Sequence, residues 1–274
     1  MSNSFRPDRS VLLAAPLAAV AIAVSIATLI ASGPGFANQQ TFAQKYVTVV
    51  GLEGRPVTGL GSEDFSLRDG AVRRPVQAAE PATQPLAIGV VMAGFESAAT
   101  PPVAQALEEV RRVLSLAGAG HRVDVVDAGA RPFLNAALEA SDLVGAASTD
   151  RRIVLAVVRR RAGDGDVTKP ERLTDALRLA HASLWTLEIV PDGGGRKPAP
   201  SPLDDALTAG TQIGGGLRET LAGVSALPDH AGRVARLLLS QYVVTYAWPD
   251  PMIGQFSIST RHDRGTVLSP VWDR

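Results

Sequence analysis

Two places in the chain gather side chains able to do chemistry. In QPLAIGVVMAGFESAATPP, residues 84–102, an apolar run enters a small-residue turn whose polar side chains are Glu96 and Ser97, and Asp127 later closes the run RVDVVD. Carboxylates and a hydroxyl are the donors that a hard divalent cation takes, but such a cation wants about six oxygens and this set offers fewer. The expectation is therefore no metal site, with Glu96, Ser97 and Asp127 as the only candidates for one, and a solvated loop in its place. The second place is Arg159, Arg160 and Arg161, followed by AGDGD. Guanidinium forks match carboxylates and phosphates, so these arginines are the candidate contacts for an acidic partner; the bland alternative is neutralisation by Asp164 and Asp166. GDGD lacks the further ligands and the distal Glu of a calcium loop.

Nucleophilic chemistry finds little support. His121, His181, His230 and His262 are the four histidines, there is no cysteine, and no G-x-S-x-G elbow presents a serine. The glycine triplets at 193–195 and 214–216 lack phosphate-loop surroundings and read as turns. No catalytic residue and no cofactor are expected.

The elements that must position these residues follow from periodicity. Leu86 to Met92 is continuously apolar and rich in β-branched residues, as a strand buried on both faces should be. A helix follows, with Thr100 at the N-cap, proline in its first turn, and Val103, Ala106, Leu107, Val110, Val113, Leu114 and Ala117 at helical spacing. RVDVVDAG, RRIVLAVV and SLWTLEIV continue as strands, separated by the helical stretches PFLNAALEASDLVGAA and KPERLTDALRLAHA. Strands alternating with helices imply crossovers and a mostly parallel, doubly wound α/β sheet.

Around this centre the pattern is β-rich. Lys45 to Gln77 reads as a small antiparallel unit with a hairpin at Asp69-Gly70, and AAEPATQP as a linker, because Pro81 and Pro85 oppose a helix. Asp192 to Pro202 reads as a loop, and ALPDHAGRVARLLLSQ as the last helix. Three β segments at hairpin spacing then end the chain, QYVVTYAWPD, GQFSISTRHD and GTVLSPVW. Tyr242 and Tyr246 share a strand face, and with Trp185, Trp248 and Trp272 they read as packing residues. Pairing of strands from the two ends into one small sheet is expected.

The bulk properties bound the partners. With 274 residues and 46% hydrophobic content the chain can bury a core. Lys+Arg and Asp+Glu both number 27, so no global field favours nucleic acid. Arg6 and Arg9 precede the uncharged run Val11 to Ala31, and Gly35 and Ala37 offer small residues for cleavage after Ala37. Residues 1–37 thus read as a signal peptide or, since 11–31 is long enough to span a bilayer, an anchor in the inner membrane. In both cases the rest is exported, periplasmic or secreted after cleavage, or held outside the cytoplasmic membrane by the anchor.

Three stretches together resemble the bacterial exported proteins with a von Willebrand factor A (VWFA)-related domain. VTVVGLEGRPVTGLGSEDFSLRDGAV is similar to that family's lead-in through Val47, Val49, Gly54, Val57, Leu60, Asp64, Phe65, Asp69 and Gly70. Leu86 to Met92 stands where its first sheet strand stands, and Gln241, Tyr242 and Tyr246 match a Q-Y-x-x-x-Y pattern. The resemblance implies a metal-ion-dependent adhesion site, D-x-S-x-S, at positions held here by Met92, Gly94 and Glu96. It also implies an acidic D-G pair where Arg159, Arg160 and Arg161 stand, and an acidic residue in place of Gly51. Three cations would repel a divalent cation, so the metal site is read as degenerate.

The resulting expectation has four parts: 1–37 signal or anchor; 38–80 N-terminal β unit and linker; 81–240 VWFA-like α/β domain; 241–274 terminal strands packing on the N-terminal β unit. The expected function is a non-catalytic protein-interaction module whose partner is an unidentified envelope protein. The contact surface would comprise Gly94–Thr100, Ala128–Pro132 and Arg159–Asp166. The alternatives are a metal-dependent adhesion domain with a residual cation site, a hydrolase, and a structural remnant without a ligand.

Overall fold

The computed structural model describes residues 41–129, 131–160, 169–190, 201–248, 256–261 and 265–271. The chain divides into two units, residues 1–39 and 40–274, and every described residue belongs to the second. The signal or anchor assignment, Arg161, His262, Trp272, the GDGD stretch and the first glycine triplet lie outside the described residues. Among the described residues no helix is long and apolar enough to cross a membrane.

Five parallel strands form the central sheet: β5 (Leu86–Ala93), β6 (Arg122–Gly129), β7 (Arg151–Arg159), β8 (Ala182–Ile189) and β9 (Arg218–Leu221). Their spatial order is β6-β5-β7-β8-β9, the order of doubly wound flavodoxin-like sheets. Helices α1 (Pro101–Leu116), α2 (Phe133–Gly145), α3 (Glu171–Ala180) and α4 (Pro202–Gly214) connect successive strands, and α5 (Leu227–Leu239) follows β9. All eight residues of β5 are buried, because it pairs with β6 and β7 and is covered on both faces. Leu86, Ile88, Val90 and Met92 pack against α1 and α5. Ala87, Val91 and Ala93 face α2, whose Ala136, Ala137 and Ala140 match them in size. Large side chains on one face and small ones on the other let the two helix layers sit at different distances from one strand.

Two antiparallel sheets accompany the parallel one. One has the order β12-β1-β10-β4, from β12 (Thr266–Leu268), β1 (Phe42–Val50), β10 (Tyr242–Ala247) and β4 (Val76–Pro81); the other is β11-β2-β3, from β11 (Phe256–Thr260), β2 (Phe65–Asp69) and β3 (Val72–Arg74). Strands from the two ends of this unit pair directly, from Phe42 opposite Ala247 to Val47 opposite Tyr242. Between the sheets lie Val47, Val49, Phe65, Tyr242 and Val244, with Ala43, Leu67 and Tyr246 beside them. Tyr242 meets Phe65 edge-on at 5.6 Å and donates its hydroxyl to Val57 O at 3.1 Å, while Leu60 N–H donates to the Tyr242 hydroxyl oxygen at 3.2 Å. The tyrosine thus ties the Gly/Pro-rich lead-in to the closing strand.

Arg151 joins these sheets to the α/β layer. It is 3% exposed and donates to Ala82 O (3.2 Å), Gln84 O (2.6 Å), Gln241 Oε1 (3.3 Å) and Leu238 O in the last turn of α5. These acceptors are neutral, and burial lowers its pKa to about 10. The helix C-terminus supplies partial negative charge in place of a carboxylate.

Several elements differ from the sequence expectation. The AAEP of the expected linker is the end of β4, which among the described strands pairs with β10 alone and so lies at an edge, where a terminal proline without an N–H costs no ladder bond. The three closing β segments do not form hairpins with one another. Both sides of β10 are taken by β1 and β4, so β11 pairs with β2 and β12 with β1. The strands from the two ends therefore enter two sheets, not one. The hairpin turn is Gly70 and Ala71, one residue later than the Asp-Gly pair, since Asp69 is already opposite Val72. Helix α4 and strand β9 were not anticipated. A signal for α4 was SPLDD: Ser201 Oγ accepts from Asp204 N–H (3.3 Å), the Asp204 carboxylate accepts from Ser201 N–H (3.1 Å), and Pro202 opens the helix.

Candidate functional site at the carboxyl end of the sheet

The order of the parallel strands reverses between β5 and β7, and doubly wound sheets bind ligands at such a point, outside the carboxyl ends of the strands. Here β5 delivers the turn Gly94–Thr100, β6 delivers Asp127 to Gly129, and β7 delivers Arg159 and Arg160. Gly94 has φ +80°, and a Cβ on it would fall 2.0 Å from Arg159 O. The backbones of the two loops therefore touch, and the crevice between β5 and β7 is closed at its root.

The three positions aligned with the metal-binding pattern are placed as follows. Met92 is buried in the core, Gly94 lies against Arg159, and Glu96 is exposed together with Ser97. Ser97 Oγ accepts from Ala99 N–H (3.0 Å), a local turn. Asp127 uses both carboxylate oxygens on backbone, accepting from Ala98 N–H and Gly129 N–H at 3.0 and 2.9 Å. The carboxylate thus ties the turn before α1 to the end of β6. Ser97 and Asp127 are thus engaged locally, and Glu96 is exposed to solvent. No group of three or more acidic, histidine or cysteine residues able to hold a metal occurs among the described residues. Thr100 precedes α1 as expected, yet its hydroxyl donates to Ser97 O (2.8 Å) and does not cap the helix.

The arginines separate. Arg159 is exposed, whereas Arg160 is 9% exposed and turned inward. Its guanidinium pairs with Glu188 and Asp204 and reaches Ser201 Oγ at 3.3 Å. Arg218 completes the cluster, donating to Glu188 Oε2 (2.7 and 3.0 Å), Asp204 Oδ1 (2.5 Å) and Thr208 Oγ1 (2.7 Å). Two arginines face two carboxylates, so the cluster is formally neutral. Burial raises the pKa of Asp204, but hydrogen bonds from Arg160, Arg218 and Ser201 outweigh it and hold the carboxyl well below the usual aspartate range. For Arg160, burial opposes the charge and the bonds to Asp204 and Glu188 overcome it, raising its pKa. Arg160 is therefore not a free donor for an acidic partner. The sequence had offered Asp164 and Asp166 as neutralisers, both outside the described residues; the counter-charges found are Glu188 and Asp204. Alternation along β7 hinted at this, since Arg160 shares the face of Val158, Ala156 and Val154, but the partner helix went unrecognised.

The three described histidines do not gather a catalytic set. His121 Nδ1 accepts from Leu86 N–H at 3.0 Å, and burial with the nearby Arg151 charge lowers its pKa. His230 lies 2.9 Å from Glu219, which also binds Arg233. His181 ends α3 in the left-handed conformation, with φ 49°. Gly214 and Gly215 of the second glycine triplet end α4, Gly215 in the left-handed conformation with φ 62°.

No protein-family model matches the chain, and no curated protein matches it. Among solved structures, a diflavin flavoprotein A3 from Nostoc sp. is similar at 15% identity, with 56% of this chain and 94% of that one covered and a TM-score of 0.32. The metal-soaked flavodiiron core from Synechocystis sp. PCC6803 is similar at 10% identity, with 58% of this chain and 36% of that one covered and a TM-score of 0.31. Likenesses at these scores carry no argument about function. The chain is an α/β protein with a five-stranded parallel sheet and separate antiparallel sheets.

Proposed function

We propose that the chain is an exported, non-catalytic interaction module of VWFA-like form without a metal site, delivered by residues 1–37 acting as signal or anchor. Its contact surface is the carboxyl end of the sheet, from Gly94–Thr100, Ala128–Pro132 and the segment beginning at Arg159, and its partner is an acidic envelope protein. The observation that carries the reading is the closed root of the β5–β7 crevice. Where a metal-binding member would set oxygen ligands, Met92 is buried, Gly94 abuts Arg159 O, and both Asp127 oxygens serve backbone N–H groups. A cation there would find few free donors, while Arg159 is presented to solvent and can bind a carboxylate directly.

Calorimetric titration of the full chain with Mg²⁺ and Mn²⁺ separates this reading from a metal-dependent adhesion domain. The expected result is no saturable heat; saturable binding that Asp127→Asn abolishes would overturn it. For the contact surface, Arg159→Glu is expected to release the acidic envelope protein that co-purifies with the wild type, and retention of that protein would remove Arg159 from the interface.

A further inference from the structure

A second group of arginines lies on and beside the small sheet β11-β2-β3. A cleft of about 480 Å³ opens at its end, lined by Arg73, Arg74 and Arg261 with Ser62, Ser66 and Glu63. The volume is within the range of small-molecule sites, roughly 300–1,000 Å³. Arg73 and Arg261 are exposed and their side chains make no ion pair among the described residues. Arg74 binds the fully buried Asp69 through Nη2 at 3.0 Å, while its buried Nε has no hydrogen-bond partner. One donor of that guanidinium is therefore unused. Arg68 stands directly opposite Arg73 in the β2–β3 ladder, and like charges so placed repel each other. A cross-strand arginine pair, an unsatisfied buried donor and a third arginine at the same cleft have one remedy in common, a bound anion. Among the described residues Glu63 is the only carboxylate lining the cleft, so with Asp69 bound to Arg74 that lining carries net positive charge.

We infer that this cleft is an oxyanion-binding site for a small ligand bearing a carboxylate or phosphate group, held by the guanidinium groups of Arg73, Arg74 and Arg261. Planar guanidinium forks engage both groups in paired hydrogen bonds, and the apolar flank formed by Phe65, Pro75 and Val76 can take the non-ionic part of the ligand. The site is separate from the carboxyl end of the parallel sheet and does not depend on the function proposed for that surface.

The test is calorimetric titration of the full chain with citrate and, separately, with inorganic phosphate, each against sodium chloride of equal ionic strength to remove general screening. Saturable binding of at least one is expected; citrate alone would assign a carboxylate ligand and phosphate alone a phosphorylated one. Arg74→Ala leaves Asp69 buried without its arginine and can unfold the sheet, so the informative variant is Arg73→Glu with Arg261→Glu, both exposed. In that variant affinity is expected to fall about tenfold or more, the loss of a charge-assisted hydrogen bond. No binding of either anion, or equal binding by the double variant, overturns the inference.

Discussion

Replacing Gly94 by alanine tests directly whether the crevice between β5 and β7 is closed. At φ +80° an added Cβ meets the left-handed penalty of about 1–2 kcal/mol. It would also lie 2.0 Å from Arg159 O and 3.0 Å from Arg159 C, so the β7 loop must move, an overpacking cost of about 1–3 kcal/mol. Together these give a destabilisation of about 2–5 kcal/mol. Gly129 supplies the control, because it also has positive φ, +54°, but nothing lies within 4 Å of its added Cβ. Gly129→Ala should therefore cost only the conformational part, about 1–2 kcal/mol. Urea unfolding of the two variants, read as midpoint shifts at unchanged slope, isolates the contact as their difference. Equal losses in both would show that the loops after β5 and β7 do not touch, and would reopen the crevice as a ligand site.

Adjacent arginines should behave oppositely: Arg160→Met strands Glu188 and Asp204 with Arg218 alone and is expected to cost about 3–5 kcal/mol, whereas Arg159→Met should stay within about 0.5 kcal/mol. Similar costs for the two in urea unfolding would refute the inward assignment. Because Asp204 titrates lower in the folded chain than in the unfolded one, its stabilising contribution is complete above the ordinary aspartate range and fades as pH falls below it. Acid unfolding of Asp204→Asn should lack that component. Lys45, 3% exposed, donates to Pro270 O and Val271 O at 3.3 Å, and burial lowers its pKa from 10.5 to about 8. Between those values the unfolded chain binds more protons, so stability should rise with pH by up to about 1.4 kcal/mol per pH unit. Lys45→Met should remove that rise, and an unchanged slope in the variant would assign it to another group.

Much of the α/β centre was legible because its information is local. The unbroken apolar run of β5, the helical spacing along α1 and α3, and the β-branched residues of β7 each fix their element without reference to distant chain. The exception is α4, whose buried face of Leu203, Ala206, Leu207, Gly210, Thr211 and Gly214 is helically spaced but carries only two large apolar side chains. Its two glycines weaken the helical propensity, and the capping box in SPLDD was the clearest sign of where the helix begins.

By itself the sequence determined a buried parallel-sheet core, the positions of most of its strands and helices, and the absence of the D-x-S-x-S pattern, since these depend on residue type and short-range period. Only the tertiary structure decided which strands close the antiparallel sheets, that Arg160 turns inward while Arg159 does not, and that Arg68, Arg73, Arg74 and Arg261 converge on one small sheet. Those outcomes depend on pairing between segments far apart in the chain. A side chain's type sets what it can bind, but what it does bind depends on which distant segment is folded against it.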